Sequence, residues 1–410
     1  MDSLSHFEML PDELLLHICH YLHTVDVLYS FHNLNARLNV TTTGYCRYLD
    51  LSGTTCPRFN YVVSNILPQI APFVESFVFH AYRDNFWSAK IPAFFDVSHL
   101  SSLFPRLRTI TLHWFTSQWL LSFIEKLPVL LELKEVNIRC LKGVLDNKLL
   151  TEIFGANDCR LNTITFDSLS KSLDVPEANH PFSYANIQKL TVNIRQGRML
   201  ARLFALIPCI QCLQVNVEEF LSKSNFAETF INLSPLTHLI DFHLSSVGFW
   251  NLDEINAIIR QMPSLQIFTL DISTRDELFI KREHFLQILP SSLKQIHFLI
   301  RYFFLEVTFE VNSLVTSWAV SLPINCLVDE SYGCLLVFTT LAAIQLLNLP
   351  ATVSKQILPG CKYTQRINDL FIFGATSLID ILSTVQHFRR LRKLEIDAKN
   401  MSETCKYVCE

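Results

Sequence analysis

Thiols and imidazoles are the side chains through which this chain could do chemistry. Cys209-Ile-Gln-Cys212 places two cysteines at the spacing of a redox pair or of half a zinc site. No second pair lies near it, so the reading is two structural thiols at a strand entry behind Pro208. His17, Cys19, His20 and His23 form a second cluster. Neighbouring histidines there are three apart, so two can meet on one helical face. A metal would need a full tetrahedral set, so these residues are expected to be a solvated helix edge. Cys405 and Cys409 also share a helical face and are read as incidental. No P-loop, Gly-x-Ser-x-Gly, Gly-x-Gly-x-x-Gly or His-Glu-x-x-His is present. Only 9 glycines occur in 410 residues, which argues against phosphate-cradling loops. The expectation is a chain that is not an enzyme, with no cofactor, no metal and no catalytic residue.

Charge narrows the partners. Lys plus Arg number 34 and Asp plus Glu 38, a net charge of −4, so nucleic-acid binding has no electrostatic support. The start of the chain carries Asp2, Glu8, Asp12 and Glu13 and lacks a basic secretory leader. With 12 scattered cysteines, this predicts reduced thiols in a cytoplasmic or nuclear protein. The stretches Val311–Val328 and Ser331–Ser354 are uncharged and of near-spanning length. Ser313, Thr316, Pro323 and Asn325 interrupt the first, and Thr339, Gln345, Asn348 and Pro350 the second. Polar groups are costly at bilayer depth, so both are read as buried core and a membrane span is not expected.

The elements that would position any functional residue are legible from periodicity. An apolar-x-x-apolar-x-apolar motif recurs at Cys46-Leu49-Leu51, Val74-Phe77-Phe79, Leu107-Ile110-Leu112, Leu133-Val136-Ile138 and Leu161-Ile164-Phe166. It continues at Ile187-Leu190-Val192, Ile210-Leu213-Val215, Leu239-Phe242-Leu244, Leu265-Phe268-Leu270 and Leu293-Ile296-Phe298. It returns at Ile367-Leu370-Ile372 and Leu391-Leu394-Ile396. From Leu107 to Leu293 the period runs between 23 and 29 residues. Helical stripes lie between motifs: Trp119, Leu120, Phe123, Ile124 and Leu127; Met199, Leu200, Leu203, Phe204 and Ile207; Leu252, Ile255, Ile258, Ile259 and Met262; Leu378, Ile381, Leu382 and Val385. Pro105, Pro208, Pro263 and Pro290 stop the chain between helix and strand. No single unit can bury both its strand face and its helix stripe, so units must stack into a parallel sheet lined by helices. The fold class is therefore α/β. This array resembles a degenerate leucine-rich-repeat solenoid. The family's asparagine after the strand motif is missing, since Phe115, Leu141, Leu169, Arg195, Glu218, Val247 and Ser273 stand there. The rhythm is lost between about 301 and 363, where two or three further units can be placed only by assumption.

The first residues read differently. Leu10-Pro11-Asp12-Glu13 opens a helix in which Leu14, Leu15, Ile18, Tyr21 and Leu22 share a stripe. A second helix, capped by Thr24 or Asp26, would bury Val27, Leu28, Phe31 and Leu34, and a third would run through Ala36, Arg37 and Leu38. Leu14, Leu15 and Leu16 are consecutive, and at about 100° per residue they cannot all face one small core. Leu10-Pro11, Glu13, Leu14, Ile18, Tyr21-Leu22 and Asp26-Val27 resemble an F-box, with Arg37 a loose match to its late basic residue. The domains expected are an F-box-like three-helix domain over 1–45 and a leucine-rich-repeat-like solenoid over 46–410.

The resemblance implies docking on the Skp-type adaptor of an SCF ubiquitin ligase, and through it on a cullin scaffold. Leu10, Pro11, Leu14, Leu15 and Ile18 would carry that docking. The solenoid would present its open strand face to an unknown protein substrate. Candidate target-facing residues are Thr109, Thr111 and His113, then Asn137 and Arg139, then Thr165 and Asp167, then Thr191 and Asn193, then Gln214 and Asn216. A leucine-rich-repeat scaffold with no role in ubiquitination has every feature except the Leu-Pro helix, and a plain helical cap would explain the first residues.

Overall fold

The computed structural model describes residues 10–51, 55–80, 101–143, 148–176, 183–219, 226–304, 311–319, 322, 324–329, 333–339, 346–350, 369–373, 378–386, 388, 391 and 393–396. The protein is mixed α/β with mostly parallel strands. It divides into two compact units, Met1–Arg195 with Arg202–Ile210, and Gln196–Ala201 with Gln211–Glu410.

The first unit begins with three helices, α1 (Asp12–His20), α2 (Thr24–Phe31) and α3 (Ala36–Tyr45). Pro11 immediately precedes α1, and Asp12 and Glu13 occupy its first turn, where the helix dipole favours negative charge. The α2 N-terminus falls at His23 without a side-chain cap, so neither Thr24 nor Asp26 caps it as expected. Asn35 caps α3 by accepting the Leu38 N–H at 2.8 Å. Val25, Val27 and Leu28 fill the bundle interior. Leu34 is exposed, because α2 stops at Phe31 and Leu34 lies beyond its buried stripe.

Six strands follow in the first unit: β1 (Tyr48–Asp50), β2 (Ser76–His80), β3 (Thr109–His113), β4 (Glu135–Arg139), β5 (Thr163–Phe166) and β6 (Lys189–Gln196). They pair in parallel and in chain order. The middle apolar residues of successive motifs fall opposite one another: Leu49, Phe77, Ile110, Val136, Ile164 and Leu190. All are buried, as are the apolar residues that open each of these motifs, Cys46, Val74, Leu107, Leu133, Leu161 and Ile187.

The second unit repeats this with β7 (Cys212–Glu219), β8 (Asp241–Trp250), β9 (Ile267–Thr274) and β10 (Gln295–Phe303). Leu213, Phe242, Phe268 and Ile296 are in register. One main-chain device recurs within both units. The carbonyl of the residue after an opening apolar residue accepts two consecutive N–H groups from the next strand's entry. Arg108 O takes Lys134 and Glu135, Lys134 O takes Asn162 and Thr163, and Gln266 O takes Lys294 and Gln295, all at 2.8–3.2 Å. This geometry satisfies donors at the starts of these strands. Side chains ahead of the motif add to it: Asn157 and Asn186 donate to the carbonyls of Leu133 and Leu161, and the Ser292 hydroxyl to that of Leu265. Polar bridging between motifs thus comes from before the strand, where the sequence pattern had no reason to seek it.

Beyond β10 the parallel order stops. In place of further helix–strand units, β11 (Ile324–Asp329) and β12 (Cys334–Thr339) pair antiparallel, and β12 lies antiparallel on β10. Gly333 precedes β12 at φ +57°, and a Cβ there would lie 2.5 Å from the Phe304 carbonyl oxygen. Any side chain meets both the left-handed penalty and a main-chain clash. Gly333→Ala should therefore lower the unfolding midpoint, measured by chemical denaturation, more than an Ala substitution at Gly44, where nothing lies within 4 Å. A separate three-stranded parallel sheet follows, β13 (Leu346–Pro350), β14 (Asp369–Phe373) and β15 (Lys393–Ile396), with Leu370 opposite Leu394 and Ile372 opposite Ile396. Ile367, Cys405 and Cys409 lie outside the described residues. Within the helix Leu378–Val385, Ile381 is buried but Leu382 is exposed, contrary to its place on the predicted stripe. Among the described residues no helix is long and apolar enough to cross a membrane.

Candidate functional site

Two surfaces are candidates for a partner, one confined to the first unit and one taken separately in each unit. The first is the outer side of α1. Leu15 and Cys19, one turn apart, point into the bundle at 2% and 3% exposure. Leu14, Ile18, Tyr21 and Leu22 form a stripe on the flank and remain exposed, Leu14 at 49% and Tyr21 at 77%. Leu16 is exposed as well. The three consecutive leucines are thus divided by helix geometry, one inward and two outward. Of the five residues expected to dock, Leu10, Pro11, Leu14 and Ile18 have accessible surface, whereas Leu15 is a core residue of the bundle. Leu16, Tyr21 and Leu22 extend the apolar face beyond that set. Arg37 ties the entrance of α1 to α3: it donates to the Leu10 carbonyl, and its Nε reaches Asp12 Oδ1 at 2.8 Å.

The histidine–cysteine cluster is split by the same geometry. His17 stacks edge-on against Tyr21 at 5.2 Å, and His17, His20 and His23 are exposed while Cys19 faces inward. Burial pushes the Cys19 thiol up, and burial with the nearby Cys19 pushes Cys46 up to about 12. Both are poor nucleophiles at neutral pH. Cys209 and Cys212 are half-buried, with Cys212 opening β7.

The second surface is the strand face opposite the motif residues. In the first unit Thr109 and Glu135 are neighbours in register, then Thr111, Asn137, Thr165 and Thr191, then His113 and Arg139. Thr109, His113, Asn137, Thr165 and Thr191 are half-buried, and Arg139 is exposed. Asn137 donates to Glu135 Oε1 at 2.9 Å. Thr111 and Asn193 are buried, and the Asn193 amide donates to the carbonyls of Asp167 and Ser170, both at 2.8 Å. Asp167 accepts the Cys140 N–H at 2.9 Å and the Ser170 hydroxyl at 2.6 Å. Asp167 and Asn193 therefore spend their hydrogen bonds within the protein, holding the turn after β5.

In the second unit Gln214 is exposed and Asn216 half-buried. On β9 and at the far end of β10 the corresponding face is closed. Thr269, Asp271, Ser273 and Arg301 are all buried, and Arg301 pairs with Asp271 at 2.5 Å with both side chains 5% exposed. His243, Thr269 and His297 form the row beside them. Burial lowers the basicity of His243, against the opposing pull of Asp271 and Asp241. Burial raises Asp241, and His243 and His297 offset part of that. Asp271 and Arg301 were absent from the expected face. Their signal was a single charge inside an apolar run, Phe-Thr-Leu-Asp-Ile and Phe-Leu-Ile-Arg-Tyr.

No protein-family model matches this chain, and no curated protein matches it.

Proposed function

We propose that this chain is a non-catalytic substrate-recognition subunit of an SCF-type ubiquitin ligase. In this reading residues 1–45 are an F-box that docks on a Skp-type adaptor, and through it on a cullin scaffold. The strands and helices after it are an irregular leucine-rich-repeat-like solenoid that holds a protein target on its open strand face. The observation that carries the reading is the exposed stripe Leu14, Ile18, Tyr21 and Leu22 on a helix opened by Leu10-Pro11. Each large apolar side chain contributes roughly 1.5–3 kcal/mol when buried, so such a stripe supplies the anchors of a stable interface. The in-register motif residues, with their repeated carbonyl links, favour a stacked array behind it. A mixed-charge strand face suits a protein partner better than a polyanion.

The test is co-purification of the adaptor and cullin with the full chain and with Leu10→Ala/Pro11→Ala. The double substitution should abolish capture, since truncated interface anchors typically cost about 2 kcal/mol or more. The Arg37 bond to the Leu10 main chain survives the change, so the bundle should stay folded. Undiminished capture would refute the docking assignment. Absence of adaptor from the wild-type sample would leave a repeat scaffold without ubiquitination.

A further inference from the structure

At the carboxyl ends of β2, β3 and β4, five side chains meet that neither the docking face nor the apolar core uses. His80 and His113 are opposite in register, and their rings stack with centroids 5.2 Å apart and 19° from parallel. Arg139 is next in the same row. Just past β3, Trp114 adopts φ +63°, a left-handed conformation that bulky L-residues avoid. Its indole is only half-buried, so core packing does not explain the strain. The Lys142 ammonium lies 4.1 Å over that ring, and His80 approaches it at 6.5 Å. The Trp114 main-chain N–H donates to the Arg139 carbonyl at 2.9 Å, which ties the strained turn to the strand presenting the guanidinium. Cys140, just past β4, is also left-handed, at φ +54°. Asp167, just past β5, is held by Cys140 and Ser170. Among the described residues the Arg139 guanidinium makes no ion pair or side-chain hydrogen bond.

We propose that this rim is a subsite for one anionic group, a carboxylate or a phosphate, carried on a side chain of a bound protein. That the anion belongs to a protein rests on the proposed function. Arg139 offers a planar fork for either oxyanion, Lys142 a point charge over the Trp114 ring, and His113 a further N–H donor. The Trp114 and His80 rings flank the stem that carries the group. A polyanion fits poorly, because Asp50, Glu135 and Asp167 stand on the same face. The groups facing His113 are Asp50, His80, Arg139 and Asp167; burial, Arg139 and His80 lower its basicity, and the two carboxylates oppose them. Tyr48, two rows away, is raised by burial and by Asp50, with Arg139 opposing them. A bound anion favours the imidazolium, so binding takes up protons and tightens as pH falls toward the lowered titration range of His113.

The experiment uses the full chain with phenylacetate and phenyl phosphate as probes and benzyl alcohol as the neutral control, followed by saturation-transfer NMR. At least one anion should bind saturably where benzyl alcohol does not, and the one that binds names the group. Arg139→Gln should weaken it about tenfold, the loss of a charge-assisted hydrogen bond. Trp114→Gly relieves the left-handed strain and so keeps the fold, yet should weaken binding too. With phenylacetate, ionised throughout, His113→Gln should flatten the pH dependence. Absence of saturable binding to the wild type, or equal binding by Arg139→Gln, would overturn the subsite. Tighter, Arg139-dependent binding of an oligothymidylate would overturn the protein assignment in favour of nucleic acid. Adaptor capture through Leu10 and Pro11 does not involve this rim, so its survival alongside failed probe binding rejects this inference alone.

Discussion

Asp271→Ala is expected to destabilise the second unit by about 3–5 kcal/mol, the cost typical of leaving one member of a buried ion pair alone. Asp271 and Arg301 stand on adjacent strands, β9 and β10, both 5% exposed. On its other side Arg301 is opposite Leu336 of β12. Its Nε already lacks a hydrogen-bond partner, so the guanidinium depends on Asp271 for its compensation. Removing that carboxylate strands a charge that cannot be neutralised by titration, because arginine stays protonated. Asp271→Leu with Arg301→Met removes both charges and should recover most of the loss, since two desolvation penalties vanish together. Denaturant unfolding followed by tryptophan fluorescence reads this directly, because Trp250 and Trp318 are buried in the same unit. A loss below about 1 kcal/mol in Asp271→Ala would mean that the pair behaves like a solvated surface pair.

Phe268→Ala should cost about 3–5 kcal/mol, as expected for a large aromatic removed from a packed core. Phe242 and Phe268 are the middle residues of successive motifs, are in register, and stack with centroids 6.0 Å apart at 5°. Truncation therefore removes burial and a ring–ring contact in one step. The comparison is Leu394→Ala, at the same motif position in β15, where the side chain is 38% exposed and most of the transfer energy is never gained. Its effect should stay below about 1 kcal/mol on the scale of surface substitutions. Thermal melts of the two variants check the contrast. Equal effects would show that motif position alone does not report burial.

Much of this architecture was legible because burial imposes a period. The opening and middle motif residues from Cys46 to Phe268 are buried. The helices Ser117–Ile124, Met199–Leu206 and Leu252–Ile259 fall where the stripes place them. The antiparallel pair β11–β12 was not legible. Cys334–Phe338 is an unbroken apolar run, the strand through Thr339 is buried at every position, and such a run carries no alternation to reveal its direction or partner. The candidate surfaces were legible in outline only. Helix geometry guaranteed that the three consecutive leucines would split, but it took neighbours to put Leu15 inside and Leu14 and Leu16 outside. Thr111, Asp167 and Asn193 occupy strand-face positions by count, and their burial or hydrogen bonding is set by residues tens of positions away.

The sequence by itself determined that the opening and middle motif residues from Cys46 to Phe268 are interior and that helices alternate with strands, because both follow from where apolar side chains recur along one chain. It also determined a surplus of leucine on the first helix. Only the tertiary structure decided strand direction after β10, the pairing of Asp271 with Arg301, and the meeting of His80, His113, Trp114, Arg139 and Lys142 at one rim. Those depend on register between segments about one motif period apart. Register is a property of two strands together, written in neither of them alone.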